Sequence, residues 1–159
     1  MSNTLIREML PSDFEALMEL DNLVWNETNA PASIHWSTVE DFAKHHEREQ
    51  LVAVVDGIAR GYISYHSPIP LPSNKHVLEF SIGIHPVAQG QGIGRHLIEA
   101  LTEYAKIHNI TKLSLRVMAS NPGAIRFYKS CGFIEQGRLV NEFFINGNYV
   151  DDLLMYKLL

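Results

Sequence analysis

Ile82-Gly83-Ile84-His85-Pro86-Val87-Ala88-Gln89-Gly90-Gln91-Gly92-Ile93-Gly94 is the stretch that decides the architecture. Three of the ten glycines of the chain, Gly90, Gly92 and Gly94, crowd into five residues. Upstream, His76 to Ile84 reads as a strand through Val77, Phe80, Ile82 and Ile84, with a slip in alternation around Glu79 and Phe80 that a bulge would cause. Downstream, Leu97, Leu101, Tyr104, Ala105 and His108 fall on one face of a helix over 92–108. A glycine-rich turn between strand and helix lets several backbone N–H groups converge at the positive end of a helix dipole, which makes an anion site suited to phosphate. A tight turn with close helix–strand packing would use the same glycines. The dinucleotide fingerprint needs glycine at 95 or 97, where Arg95 and Leu97 stand, and no Gly-Lys-Ser/Thr triplet completes a P-loop.

Outward from that turn the chain alternates between helices and hairpins. Thr4 to Met9 reads as a strand, and the Ser12/Glu15 spacing of a capping box opens a helix carrying Phe14, Leu17, Met18 and Leu20. Ser37 and Glu40 repeat that spacing before a helix expected to reach about Arg48. Gln50–Val55 and Ile58–His66 flank Asp56-Gly57, a hairpin turn, and Pro68, Pro70 and Pro72 mark a loop. Lys112 to Met118 alternates cleanly. Asn121-Pro122 starts a helix that Gly132 ends, and Phe133–Ile145 with Asn148–Lys157 forms a last hairpin around Asn146-Gly147. The order β-α-α-β-β-β-α-β-α-β-β predicts an α/β (α+β) fold with a mixed sheet.

Composition sets the outer bounds. The 159 residues suit one domain over 1–159, with neither repeats nor linkers. A formal charge of −5 argues against non-specific nucleic-acid binding. No apolar run approaches the roughly 20 residues of a membrane-spanning helix, and the amino terminus does not read as a signal peptide. Cys131 stands alone, so a reducing, cytoplasmic setting is expected. His46-Glu47-Arg48-Glu49-Gln50 begins like a zinc-binding H-E-x-x-H but ends in glutamine, and no metal is expected.

Two blocks together are specific. Gln89-x-x-Gly92-x-Gly94 resembles motif A of the GNAT superfamily of acetyl-CoA-dependent N-acyltransferases, and Asn121-Pro122-Gly123-Ala124-Ile125-Arg126-Phe127-Tyr128-Lys129-Ser130-Cys131-Gly132-Phe133 resembles its motif B. The resemblance is strong over 76–136 and compatible with nearly the whole chain. It implies a mostly antiparallel six- to seven-stranded sheet flanked by about four helices, with strands 4 and 5 splayed after a bulge. It further implies that Gln89, Gly90, Gln91, Gly92, Ile93, Gly94 and Arg95 hold the pyrophosphate of coenzyme A. The pantetheine arm would pair along Ile82, Gly83 and Ile84, bond to Asn121, and lie against Ala124 and Phe127.

The chemistry constrains the remaining roles. At pH 7 roughly one lysine-like amine in a few thousand is neutral, a cost of about 4–5 kcal/mol before it can attack a thioester. A base must take its proton, and an acid must meet the departing thiolate. Tyr128 lies two helical turns after Asn121 on the same face, and the resemblance implies it is the acid. The resemblance likewise implies Glu79 as base, against the alternative of an outward-facing strand glutamate. Cys131, at the C-terminal end of its helix, reads as a small buried residue rather than an acyl carrier. The acceptor is expected near residues 21–36, where Trp25 and Glu27, with Asp21 close by, suit an ammonium group. Trp36 is read more as packing. A small amine such as an amino acid or polyamine is expected to be acetylated in a ternary complex. Protein or peptide acceptors, or a non-catalytic acetyl-CoA-binding module, stay open, as does oligomeric state, a homodimer included.

Overall fold

The structure is a computed structural model and describes residues 3–32, 34–45 and 49–159. The helix end expected near Arg48, and most of His46-Glu47-Arg48-Glu49-Gln50, lie outside the described residues. Strands β1 (Thr4–Glu8), β2 (Glu49–Val55), β3 (Ile58–His66), β4 (Val77–Ile84), β5 (Lys112–Met118), β6 (Ile134–Ile145) and β7 (Asn148–Leu158) form one sheet in the order β1-β2-β3-β4-β5-β7-β6. Helices α1 (Phe14–Val24) and α2 (Val39–His45) are followed in the chain by α3 (Ile93–Ile107) and α4 (Pro122–Ser130).

Period-two alternation in the strands feeds two cores. Leu78 and Phe80 of β4 and Leu113 and Leu115 of β5 pack with Leu97, Leu101 and Ala105 of α3. Val52, Val54 and Tyr62 meet Leu17 and Leu20 of α1 and Phe42 of α2 on the other side. The sheet is therefore sandwiched between helices, as apolar faces on both its sides require.

Every neighbouring strand pair is antiparallel except β4–β5. That parallel pair holds only from Val77–Lys112 to Glu79–Ser114. Beyond it β4 keeps its partner β3 through Gly61–Ile84, and β5 keeps β7 through Met118–Asp152, so the sheet opens between them. The parting needs no bulge: β4 stays in register with β3 throughout, and register shifts fall instead at Ala53/Val54 of β2 and at Glu135/Gly137 and Leu139/Phe143 of β6. Leu78, Phe80, Ile82 and Ile84 simply share one face, with Glu79, Ser81 and Gly83 on the other.

Two helix starts differ from expectation. Pro11–Asp13 form a 3-10 turn ahead of α1, and the Asp13 carboxylate accepts from the Leu10 N–H at 2.8 Å. Asp13 takes the capping role because Arg7 holds it from the other side, at 2.7 and 2.9 Å. For α2 the Thr38 hydroxyl, not Ser37, accepts from the Asp41 N–H at 3.1 Å. Both glycine hairpins form as read, with positive φ at Asp56, Gly57, Asn146 and Gly147.

Candidate active site

The opening between β4 and β5 separates two cavities. The first, about 470 Å³, is walled by Ile82, Ile84, Gln89, Gly90, Gly92, Ile93, Gly94, Arg95, Phe127 and Tyr128. Gly90 and Gly92 have φ of +76° and +79°, and a Cβ on either would meet nothing within 4 Å, so the backbone there borders open space. A Cβ on Gly94 would stand 3.0 Å from the Phe127 ring, so this glycine lets α3 and α4 approach. The Gln89 side-chain amide donates to the Ile84 carbonyl at 3.1 Å and ties the turn to the end of β4. An anion with an extended apolar arm fits this cradle: amides at the start of α3 for the charge, and the side of β4 that β5 has left for the arm.

Of the residues expected there, Gln91, Gly83 and Asn121 are not in that wall. Gln91 bonds back to the Val87 carbonyl. Gly83 faces α1, where a Cβ would collide with the Tyr62 ring at 2.8 Å. The Asn121 side-chain oxygen Oδ1 caps α4 by accepting from the Ala124 N–H at 3.3 Å. Ala124 lines the second cavity.

That second cavity, about 500 Å³, lies on the α1/α2 side. Its walls include Asp21, Trp25, Ile34, Trp36, Tyr62, Ser81 and Arg116. Asp21 is buried and accepts from the Trp25 indole N–H at 3.0 Å, the Tyr62 hydroxyl at 2.8 Å and the Trp36 indole N–H at 3.0 Å. Burial, reinforced by the Asp21 charge, pushes the Tyr62 phenol well above its ordinary value, so it stays a donor. The missing Cβ of Gly83 gives Tyr62 the room to lie there.

Trp25 thus lines the cavity as expected, and Trp36 both lines it and packs edge-on against Phe42. Glu27 does not line it: it is exposed and accepts from the Asn146 side-chain amide at 2.6 Å, across to the β6–β7 turn. The Ser120 hydroxyl donates to the Thr28 carbonyl nearby, so the segment after α1 is fastened at two points over the cavity.

Ile82 and Tyr128 belong to the walls of both cavities. Burial, and to a smaller extent Cys131, raises the Tyr128 phenol far above its ordinary value, which keeps its proton in place. Phe80 and Phe133 hold its ring edge-on. Glu79 lines neither cavity; its carboxylate stands 3.6 Å from His66 Nε2, two residues along β4 from Ser81, a spacing of about 7 Å. Cys131 is buried and lines neither of these cavities. Arg116 was not singled out in the sequence. The clean alternation of β5 puts it opposite Leu115 and Val117, but nothing local marks the cavity it reaches.

The Acetyltransferase (GNAT) family pattern matches residues 9–133. Spermidine N(1)-acetyltransferase of Vibrio cholerae is 39% identical over 121 residues, 75% of this chain and 70% of that protein. L-amino acid N-acetyltransferase AaaT of Escherichia coli is 26% identical over 161 residues, 99% of each chain. Among solved structures, smu.2055 from Streptococcus mutans has a TM-score of 0.88 at 33% identity, covering 97% of this chain and 98% of that one.

Proposed function

The chain belongs to the GNAT acetyltransferase family, and we propose that it acetylates a small primary amine directly from acetyl-CoA, with both substrates bound together. The observation that carries this reading is the meeting of two cavities at Tyr128: one fits a pyrophosphate and its arm, the other an amine. Relatives named for spermidine and for L-amino acids support a small acceptor. No helix among the described residues is long and apolar enough to cross a membrane.

Acetyl-CoA supplies an acetyl thioester to the opening between β4 and β5. The amine nitrogen forms a bond to the carbonyl carbon, and the bond from that carbon to sulfur breaks. Tyr128 gives its proton to the departing sulfur and recovers one from solvent. The amine loses its proton to water, and Glu79, on the acceptor face of β4, takes it through that water. The amides of Gln89 to Arg95 hold the pyrophosphate, and the side-chain amide of Asn121 orients the arm. Cys131 stands outside both cavities, which supports direct transfer over an acyl-cysteine.

The test is thiol release from acetyl-CoA by the purified protein with a panel of amino acids, monoamines and polyamines. Release that depends on the amine is the expected result. Tight acetyl-CoA binding without release for any amine would show a silent acetyl-CoA-binding domain instead.

A further inference from the structure

The walls of the acceptor cavity hold a cation where an amine substrate would not want one. Ser114 is the last residue of β5 paired to β4, opposite Glu79. Two residues on, Arg116 stands level with Ser81 across the opening, on the acceptor side of the sheet. The approaching amine must pass this point to reach the shared wall at Ile82 and Tyr128.

The guanidinium is held by one end. Asp152, only 3% exposed, accepts from Arg116 Nε at 2.6 Å. The Arg116 side chain is 45% exposed. Among the described residues its Nη1 and Nη2 donate no hydrogen bond. A buried carboxylate that grips only Nε fixes the plane of the guanidinium and leaves the outer fork aimed away from it. Such a fork matches a carboxylate with two parallel hydrogen bonds.

Resting on the acetyltransferase reading, we propose that Arg116 binds the carboxylate of an α-amino acid acceptor, with Asp152 as the positioning residue. An α-carboxylate lies one carbon from the amine, so a guanidinium at the edge of the opening can hold it while the amine faces the thioester. The side chain then extends toward Trp25, Ile34 and Trp36, which suits an apolar or aromatic group. A polyamine brings no anion near its reacting nitrogen and meets repulsion from Arg116 instead.

The experiment compares kcat/KM for L-phenylalanine and L-leucine with their decarboxylated counterparts, phenethylamine and isopentylamine, and with spermidine. One charge-assisted hydrogen-bonded contact predicts a preference of roughly 10- to 100-fold for the amino acids. Arg116→Met removes that preference while the KM for acetyl-CoA stays put, and Arg116→Lys retains part of it. Because Arg116→Met strands the buried Asp152, the Arg116→Met/Asp152→Asn pair repeats the measurement in a balanced background. Equal or better use of phenethylamine, isopentylamine or spermidine by the unaltered protein overturns the proposal alone, as does an equal loss on both substrate types in the variants. Acetyl-CoA binding without thiol release from any of these amines overturns the acetyltransferase reading and the proposal with it.

Discussion

Burial keeps the Tyr128 phenol protonated, so it still carries the proton that the proposed acid would give to the departing sulfur. Replacing Tyr128 by Phe keeps the ring against Phe80 and Phe133 and removes only the hydroxyl. We expect kcat to fall by roughly 10²–10⁴, the usual share of general-acid catalysis, with the KM for acetyl-CoA held. Steady-state kinetics decide it: a kcat within about threefold of the unaltered enzyme would leave Tyr128 as a packing residue. The sequence made Tyr128 visible because helical spacing ties it to Asn121. It could not rank Asp21 above Glu27, since which carboxylate enters the cavity depends on where α1 ends. Glu27 lies beyond that end and reaches the Asn146 amide, whereas Asp21 is still helical and faces Tyr62. Arg116 was hidden for a similar reason: strand alternation gives a face, not what covers it.

The glycine turn shows how much one element carries. Gly92 is the N-cap of α3 and adopts φ +79°, open to the first cavity. Gly92→Glu adds strain at a left-handed position and puts a carboxylate where a phosphate would sit. Affinity for acetyl-CoA in calorimetry should fall at least tenfold, about 1.4 kcal/mol, with the circular dichroism of the fold kept. Unchanged affinity would move the pyrophosphate elsewhere. This element was legible because strand, glycines and helix are contiguous. The hairpins at Asp56-Gly57 and Asn146-Gly147 were legible for the same reason. The placement of β7 between β5 and β6 was not, because that pairing joins residues about forty apart, from Lys112–Leu158 to Met118–Asp152.

At the scale of the molecule, the edge strand β1 is clamped to the start of α1 by Arg7 and Asp13. The Arg7 hydrogen bonds, helped by the Leu10 N–H, hold the Asp13 carboxyl below its ordinary value against the opposing effect of burial. A carboxylate depressed in the fold contributes stability above its unfolded pKa, near 3.9, and loses it as pH falls through the lower folded value. Asp13→Asn should therefore cost about 1–3 kcal/mol in urea unfolding at pH 7, and the difference should shrink steadily below pH ~4. A cost that persists at pH ~2 would mean that shape, not charge, matters at this position. The opening in the sheet has a different consequence. Since Ile82 and Tyr128 wall both cavities, one molecule carrying the coenzyme arm at one end and the acceptor at the other is expected to span the opening and occupy both. Once either end is seated, the second binds as an intramolecular event at an effective concentration near millimolar, so such a conjugate should outbind its stronger half by roughly 10²–10⁴ without making any new contact.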